Sequence, residues 1–278
     1  MDEIINTPFS YTGSKFKLLP QLLPLFDYTK VNFIDVFAGG GSIYTNIASK
    51  YEKVWINDKL ADWVLVHKEL VTRGEEFVKE VIAFCSPKDN QAAYVSLRAL
   101  YNKERLPAQL MALGLCAQNN FLRYNKSGEF NQTWGKRSFN DSTRKKLDKF
   151  IPHIQQFKDK LYFTSLDFDK VIPKSFSNCM VYIDPPYNSQ TQGAANYNAF
   201  WDDNDDERLF KYCENVHNNG GSFCVSNVWS ENKEFNALLV NLLIDDGRFN
   251  MVKLNGDYKK VARIKTKEQM TEIIIKNY

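Results

Sequence analysis

The sequence predicts an α/β fold, a doubly wound parallel sheet with a helical lobe inserted into it. Three observations carry this. Short apolar runs without polar alternation recur along the chain, as strands buried on both faces require. Helical stretches separate them, and strand–helix alternation implies a parallel sheet covered by its own crossovers. One long central stretch breaks the alternation and reads as helices followed by a polar loop.

The first apolar run is 31–37, closed by the turn Ala38-Gly-Gly-Gly41, with Ser42 placed to cap a helix over 43–48. Further strands are predicted at 53–57, 161–164, 179–184 and 222–226. A helix over 205–217 stops at Asn218-Asn-Gly-Gly221. Runs 248–254 and 272–276, with a Gly256-Asp257 turn signal between them, suit an antiparallel pair at one edge. Helical patterns at 75–84, 91–105 and 108–120, then a Gly- and Asn-rich loop at 123–141, make up the insertion. Residues 1–64 and 161–278 are therefore expected to form the α/β domain and 65–160 the helical lobe.

Composition narrows the function classes. With 44% hydrophobic and 25% charged residues in 278, the chain is an ordinary globular protein and not a disordered one. No apolar run approaches the roughly 18 to 20 residues of a membrane span. Met1-Asp-Glu-Ile-Ile5 lacks the pattern of a secretory signal, so a cytoplasmic setting is expected. Five cysteines, never spaced as CxxC, argue against a disulfide framework or structural zinc, and three scattered histidines add no metal site. Net charge is +3, but 88–160 holds 14 Lys and Arg against six Asp and Glu, an excess of eight that leaves the remainder at −5. A basic lobe on a mildly acidic body suits a polyanion partner, and equally a solvated helix face.

Phe33-Ile-Asp-Val-Phe-Ala-Gly-Gly-Gly-Ser42 sets a glycine turn between a buried strand and a helix, where backbone N–H groups can approach a ligand. The next strand ends at Asn57-Asp58, and a carboxylate there can accept from both hydroxyls of a ribose. The dinucleotide fingerprint fails, because Tyr44 stands where its third glycine belongs. Asp35, at the strand end, repels a pyrophosphate and suits an amino group. That favours a nucleoside with a cationic tail, such as S-adenosylmethionine, over NAD.

Asp184-Pro-Pro-Tyr187 follows the apolar Val181-Tyr-Ile183. Two prolines fix φ and remove two donors, so Asp184 and the Pro185 carbonyl stand as rigid acceptors beside the aromatic face of Tyr187. Such a set suits an exocyclic amino group on a planar ring. Accepting both of its N–H bonds stabilises the charge that grows on nitrogen during attack on a methyl group. A base in duplex must leave the stack to reach it.

These motifs resemble the D12-class, Dam-like DNA adenine-N6 methyltransferases, over nearly the whole chain. The resemblance implies a Rossmann-like methyltransferase sheet, S-adenosyl-L-methionine as cofactor and double-stranded DNA as partner, with no metal and no membrane. It implies catalytic roles for Asp184, Pro185, Pro186 and Tyr187. Pro8-Phe-Ser-Tyr-Thr-Gly-Ser-Lys15 is similar to the family's N-terminal motif and puts Tyr11 and Lys15 at the cofactor. Asp35, Phe37, Ala38, Gly39, Gly41 and Ser42 fall in its cofactor loop, Asp58 at its ribose acid, and Asp167-Phe168 beside the cofactor's adenine, with Asp184 bordering the cofactor as well. Tyr197-Asn-Ala-Phe200 fits the segment after the catalytic motif. The stretch 123–137 resembles the family's recognition hairpin, with Arg123, Tyr124, Asn125, Lys126, Ser127, Lys136 and Arg137 toward DNA. Tyr124, an aromatic among cations, suits the gap left by a flipped base. GATC-specific members usually carry a basic residue where Ser127 stands and a proline where Thr133 stands, so the resemblance does not extend to GATC. A cognate restriction endonuclease is a possible partner. The other readings are a cytosine-N4 methyltransferase, which Asp184 disfavours since Ser is frequent there, an RNA adenine methyltransferase, a DNA-binding module without catalysis, and an NAD-linked oxidoreductase.

Overall fold

A strand with apolar side chains on both faces is stable only where both faces are covered. The computed structural model describes residues 3–9, 11, 13–85, 90–186, 201–231, 237–255 and 271–278. Its strands are β1 (Asn32–Asp35), β2 (Lys53–Asn57), β3 (Leu161–Thr164), β4 (Cys179–Ile183), β5 (Ser222–Trp229), β6 (Asn250–Lys253) and β7 (Thr271–Lys276). They form a mixed sheet in the order β3-β2-β1-β4-β5-β7-β6. β1 pairs in parallel with β2 and β4, and β4 with β5. β7 runs antiparallel between β5 and β6. The expected edge pair is present, with β7 inside and the exposed β6 outermost, its Lys253 of a kind that discourages edge pairing.

The helices are α1 (Leu19–Leu22), α2 (Ser42–Ile47), α3 (Ala61–Arg73), α4 (Glu75–Phe84), α5 (Gln91–Glu104), α6 (Pro107–Cys116), α7 (Asp141–Gln155), α8 (Asp203–Asn218) and α9 (Leu238–Asp245). α1, α3, α7 and α9 are not expected from the sequence. Ser42 begins α2 instead of capping it. The cap is Gly41 at φ 75°, a left-handed turn that glycine adopts without a Cβ penalty. α8 starts at Asp203 because Asp202 and Asp205 form a reciprocal capping box. α6 ends at Cys116, short of the expected 120, as Ala117 turns extended and bridges Trp134.

The chain packs as two compact units: Met1–Lys17, Ala38–Ser49 and Asp58–Ser165 in one, Leu18–Phe37, Lys50–Asn57 and Leu166–Tyr278 in the other. These do not follow the boundaries at 64/65 and 160/161. The turn after β1, α2 and the residues after β2 pack with the helices, because Trp63 and His67 of α3 hydrogen-bond the Gly39 carbonyl. In the second unit one sheet face buries Ile34, Val181, Phe223, Val225 and Ile273 against Leu209, Val216, Leu239 and Val240 of α8 and α9. In the first, α6 is apolar all round and packs against α3, α4 and α5. Among the described residues no helix is long and apolar enough to cross a membrane.

Because α6 is the centre of its unit, Leu110→Ala, at a fully buried position, should cost about 2–5 kcal/mol in the urea unfolding free energy. Ile82→Ala, on an exposed face of α4, should change it by about 0.5 kcal/mol or less. Equal effects would contradict this placing of the core.

Candidate active site

In the sheet unit, β1 and β4 lie side by side with Asp35 opposite Tyr182. The chain leaves β1 toward β2 on one side and returns to β4 on the other. Strand order reverses there, and doubly wound sheets take ligands beyond the carboxyl ends at such a point. Asp35 closes β1 and is buried. Asp184 is half-buried directly after β4, Pro185 is buried and Pro186 half-buried. Tyr187 and the 197–200 segment lie outside the described residues.

Two groups flank these strand ends. Asn57 closes β2, donates from Nδ2 to the carbonyls of Val36 (3.1 Å) and Leu166 (3.1 Å), and accepts from the Leu166 N–H (2.9 Å). The Phe168 ring meets Phe37 at 5.7 Å and Trp201 at 5.4 Å, while Phe37 and Trp201 meet at 5.6 Å. Arg208 of α8 lies over Phe168 at 4.7 Å, giving Nη2 to Asp167 (2.8 Å) and Asp169 (2.9 Å) and Nη1 to Asp205 (2.8 Å). Asp167 and Phe168 are thus held by one guanidinium.

In the helical unit the glycine turn is built around Gly39. Its N–H donates to Asp58 Oδ2 (2.9 Å), and its carbonyl accepts from Trp63 Nε1 (2.8 Å) and His67 Nε2 (2.9 Å). The Gly41 N–H donates to the Ala38 carbonyl (2.8 Å). The Gly39 and Gly41 N–H groups are thus both bonded inside the protein. The glycines also make room. A Cβ on Gly40 would lie 2.6 Å from Tyr11 Cβ, and one on Gly41 2.5 Å from Tyr44 Cε1. Tyr11 stacks on Trp63 at 6.1 Å, Lys15 is buried in the turn Lys15–Leu18, and Ala38 and Ser42 are buried.

Asp58 also accepts the Leu60 N–H on Oδ1 (3.0 Å), so each carboxylate oxygen carries one backbone bond. Burial pushes its carboxyl above the usual range, against those two bonds. His67 is buried and its pKa falls to about 4, burial outweighing the bond to Gly39. Nε2 faces a carbonyl and so carries the proton, which leaves Nδ1 to accept from the Tyr44 hydroxyl (2.9 Å).

The 123–137 stretch, also in this unit, contains a hairpin bridged at Tyr124 and Phe130. The Asn125 side chain closes the turn, accepting from Ser127 N–H (3.0 Å) and Glu129 N–H (2.9 Å). Arg123 donates from Nε and Nη2 to Asn131, each at 2.9 Å. Tyr124 is half-buried, its ring edge-on to Phe130 (5.7 Å) and its hydroxyl 3.0 Å from that of Tyr101. Without DNA, ring and hydroxyl thus pack within the lobe. Lys126, Ser127, Lys136 and Arg137 are exposed, with Arg137 donating to Asn120.

Residues 11–259 match the model of the D12 class N6 adenine-specific DNA methyltransferases. The chain belongs to this family. It is 28% identical over 290 residues to the modification methylase StsI of Streptococcus sanguinis, 99% of this chain aligning with 43% of that protein. Identity is also 28%, with the same coverages, to the type II methyltransferase M.FokI of Planomicrobium okeanokoites. The chain thus spans less than half the length of these relatives. To the type II methyltransferase M.MjaIII of Methanocaldococcus jannaschii it is 24% identical, over 98% of this chain and 99% of that one.

Beyond the family motifs, the structure adds Arg208 at Asp167-Phe168, and Trp63 and His67 at the glycine turn. Only the i, i+4 spacing of the last two on one helix hinted at a shared face. The buried neutral histidine also predicts acid sensitivity. Unfolded His67 takes up a proton below about 6.5, the folded form only near 4. Stability should therefore be lost as pH falls between those values, by about 3 kcal/mol at the lower end. His67→Gln keeps a donor and an acceptor without a charge and should flatten this part of the profile in urea melts. Superimposable profiles would rule out the assignment.

Proposed function

We propose that this chain transfers a methyl group from S-adenosylmethionine to N6 of an adenine flipped out of duplex DNA. The observation that carries the reading is Asp184-Pro185-Pro186 placed directly after β4, beside β1 at the reversal of strand order, in a chain of this family.

The residues fit the cofactor by their chemistry. Each Asp58 oxygen has one backbone bond and so keeps a lone pair for a ribose hydroxyl. Asp35 is a buried carboxylate suited to an amino group, and the Phe37 and Phe168 rings, with Asp167 held by Arg208, suit a purine. Tyr11 and Lys15 complete the proposed set. When bound, S-adenosylmethionine supplies an electrophilic sulfonium methyl. Asp184 and the Pro185 carbonyl would accept the two N–H bonds of the adenine amino group, which frees its lone pair and stabilises the positive charge growing on nitrogen; the electron pair of the broken S–CH3 bond stays on sulfur, and the proton that N6 sheds leaves along its hydrogen bond to Asp184. Pro186 makes the turn rigid, so the acceptors are in place before the base arrives. Tyr187 supplies an aromatic face for the base.

Residues 1–64 and 161–278 are assigned the chemistry and 65–160 target recognition, with Lys126, Ser127, Lys136 and Arg137 as exposed contacts and Arg123 and Asn125 shaping the hairpin. The names of the relatives, a modification methylase and a type II methyltransferase, support DNA modification as the role; a cytoplasmic setting and a cognate restriction endonuclease belong to the same proposal.

Asp184→Ala should lower the single-turnover rate of tritiated methyl transfer to DNA by about a hundredfold to a thousandfold, with the melting temperature kept. A rate within tenfold of wild type would remove Asp184 from the reaction. Asp58→Ala should instead weaken S-adenosylmethionine binding by about tenfold or more in calorimetry. Unchanged affinity would place the ribose elsewhere.

A further inference from the structure

A two-stranded hairpin alone is marginal in water. The 124–130 hairpin carries one bridge, and its tip, Lys126 to Glu129, is exposed. Beyond its own turn bonds and the Arg123–Asn131 contact, a stripe on α5 holds it. Tyr94 and Arg98 donate to the Gln132 carbonyl (3.1 and 3.3 Å). Asn102 accepts the Phe130 N–H (2.8 Å) and donates to the Phe130 carbonyl (3.0 Å), bonding one residue's backbone as a neighbouring strand would. Arg105 donates from Nη2 to the Gly128 carbonyl at the tip (2.7 Å) and from Nη1 to Asp62 of α3 (3.4 Å). Tyr101 donates to the same Asp62 oxygen (2.6 Å) and meets the Tyr124 hydroxyl. Positions 94, 98, 101, 102 and 105 share one helical face.

Arg105 ends α5 in a left-handed conformation, φ 58°. For a residue with a Cβ this costs about 1 kcal/mol or more and persists where surrounding contacts over-determine it. Here the contacts are the tip carbonyl, Asp62 and the Tyr101 ring, 5.2 Å from the guanidinium. The strain is held at a residue that joins the hairpin tip to both α3 and α5.

We infer that Arg105 and Asn102 are positioning residues for base recognition, holding the hairpin's tip and return strand in the single orientation in which its exposed side chains can discriminate bases. This rests on the reading of the chain as a DNA methyltransferase. Neither residue need touch DNA. Both act through backbone carbonyls and amides of the hairpin, and a tip free to tilt loses the geometry on which base-edge hydrogen bonds depend.

The test uses Arg105→Gly in the full chain. Glycine adopts this φ without strain, so the helix end is kept while the contacts to Gly128 and Asp62 are removed. Wild type and variant are given S-adenosylmethionine and a pool of randomised duplexes. Methylated adenines and retained duplexes are both sequenced, and amide exchange is followed over 124–131. The expected result is hairpin amides exchanging about tenfold faster or more, with preference for the target over sites differing by one base reduced about tenfold. Asn102→Ala should act likewise, and Arg105→Lys, which can still reach one acceptor, should restore part of the preference. Undiminished preference in folded Arg105→Gly overturns the inference, as does an equal rate loss on all sites. If wild type selects duplexes but methylates none, the transfer reading fails while the retained duplexes still decide the inference. Wild type that does neither overturns both.

Discussion

A carbonyl oxygen has two lone pairs, and at Gly39 an indole and an imidazole from one helix take both, while the N–H of the same residue goes to Asp58. One peptide group thereby joins the turn after β1, the residues after β2 and the first two turns of α3. The arrangement needs glycine at 40 and 41, because Tyr11 and Tyr44 occupy the space that side chains would fill. It also needs a neutral His67, since Nε2 must carry the proton and Nδ1 must accept a hydrogen bond from the Tyr44 hydroxyl. The turn is rigid for reasons internal to the protein, and its rigidity is what keeps the Asp58 carboxylate in a fixed orientation.

Carboxylates close or follow three of the parallel strands: Asp35 ends β1, Asp58 follows β2 and Asp184 follows β4. Strand interiors in such a sheet are too apolar for charge, while their carboxyl ends open onto a crevice where polar groups can find partners. The local surroundings then separate the three. Asp35 is buried, Asp184 half-buried beside two prolines, and Asp58 is gripped by two backbone N–H groups.

Charge in the helical unit divides in a similar way. Arg98, Arg105 and Arg123 count toward the basic excess of 88–160, yet their guanidiniums hold hairpin carbonyls and Asn131. Arg144 is taken up by Glu75 and Asp148. The forked geometry of arginine suits such bracing, whereas the lysines Lys126 and Lys136 remain exposed. A count of charges overstates what is offered to a phosphate backbone.

The strands were legible from residues alone, and β2 and β3 fall on the predicted spans, because a run buried on both faces is apolar throughout. The Asp184-Pro-Pro turn was legible because proline limits its own backbone whatever surrounds it. Local sequence set the strands, the glycine turn and the residue types able to do the chemistry. Only tertiary structure decided which groups are engaged within the protein. Arg208 reaches Asp167, Arg105 reaches Gly128 and Tyr124 turns to Tyr101 across separations of 41, 23 and 23 residues. Those partners are set by how the elements pack, and no local pattern encodes them.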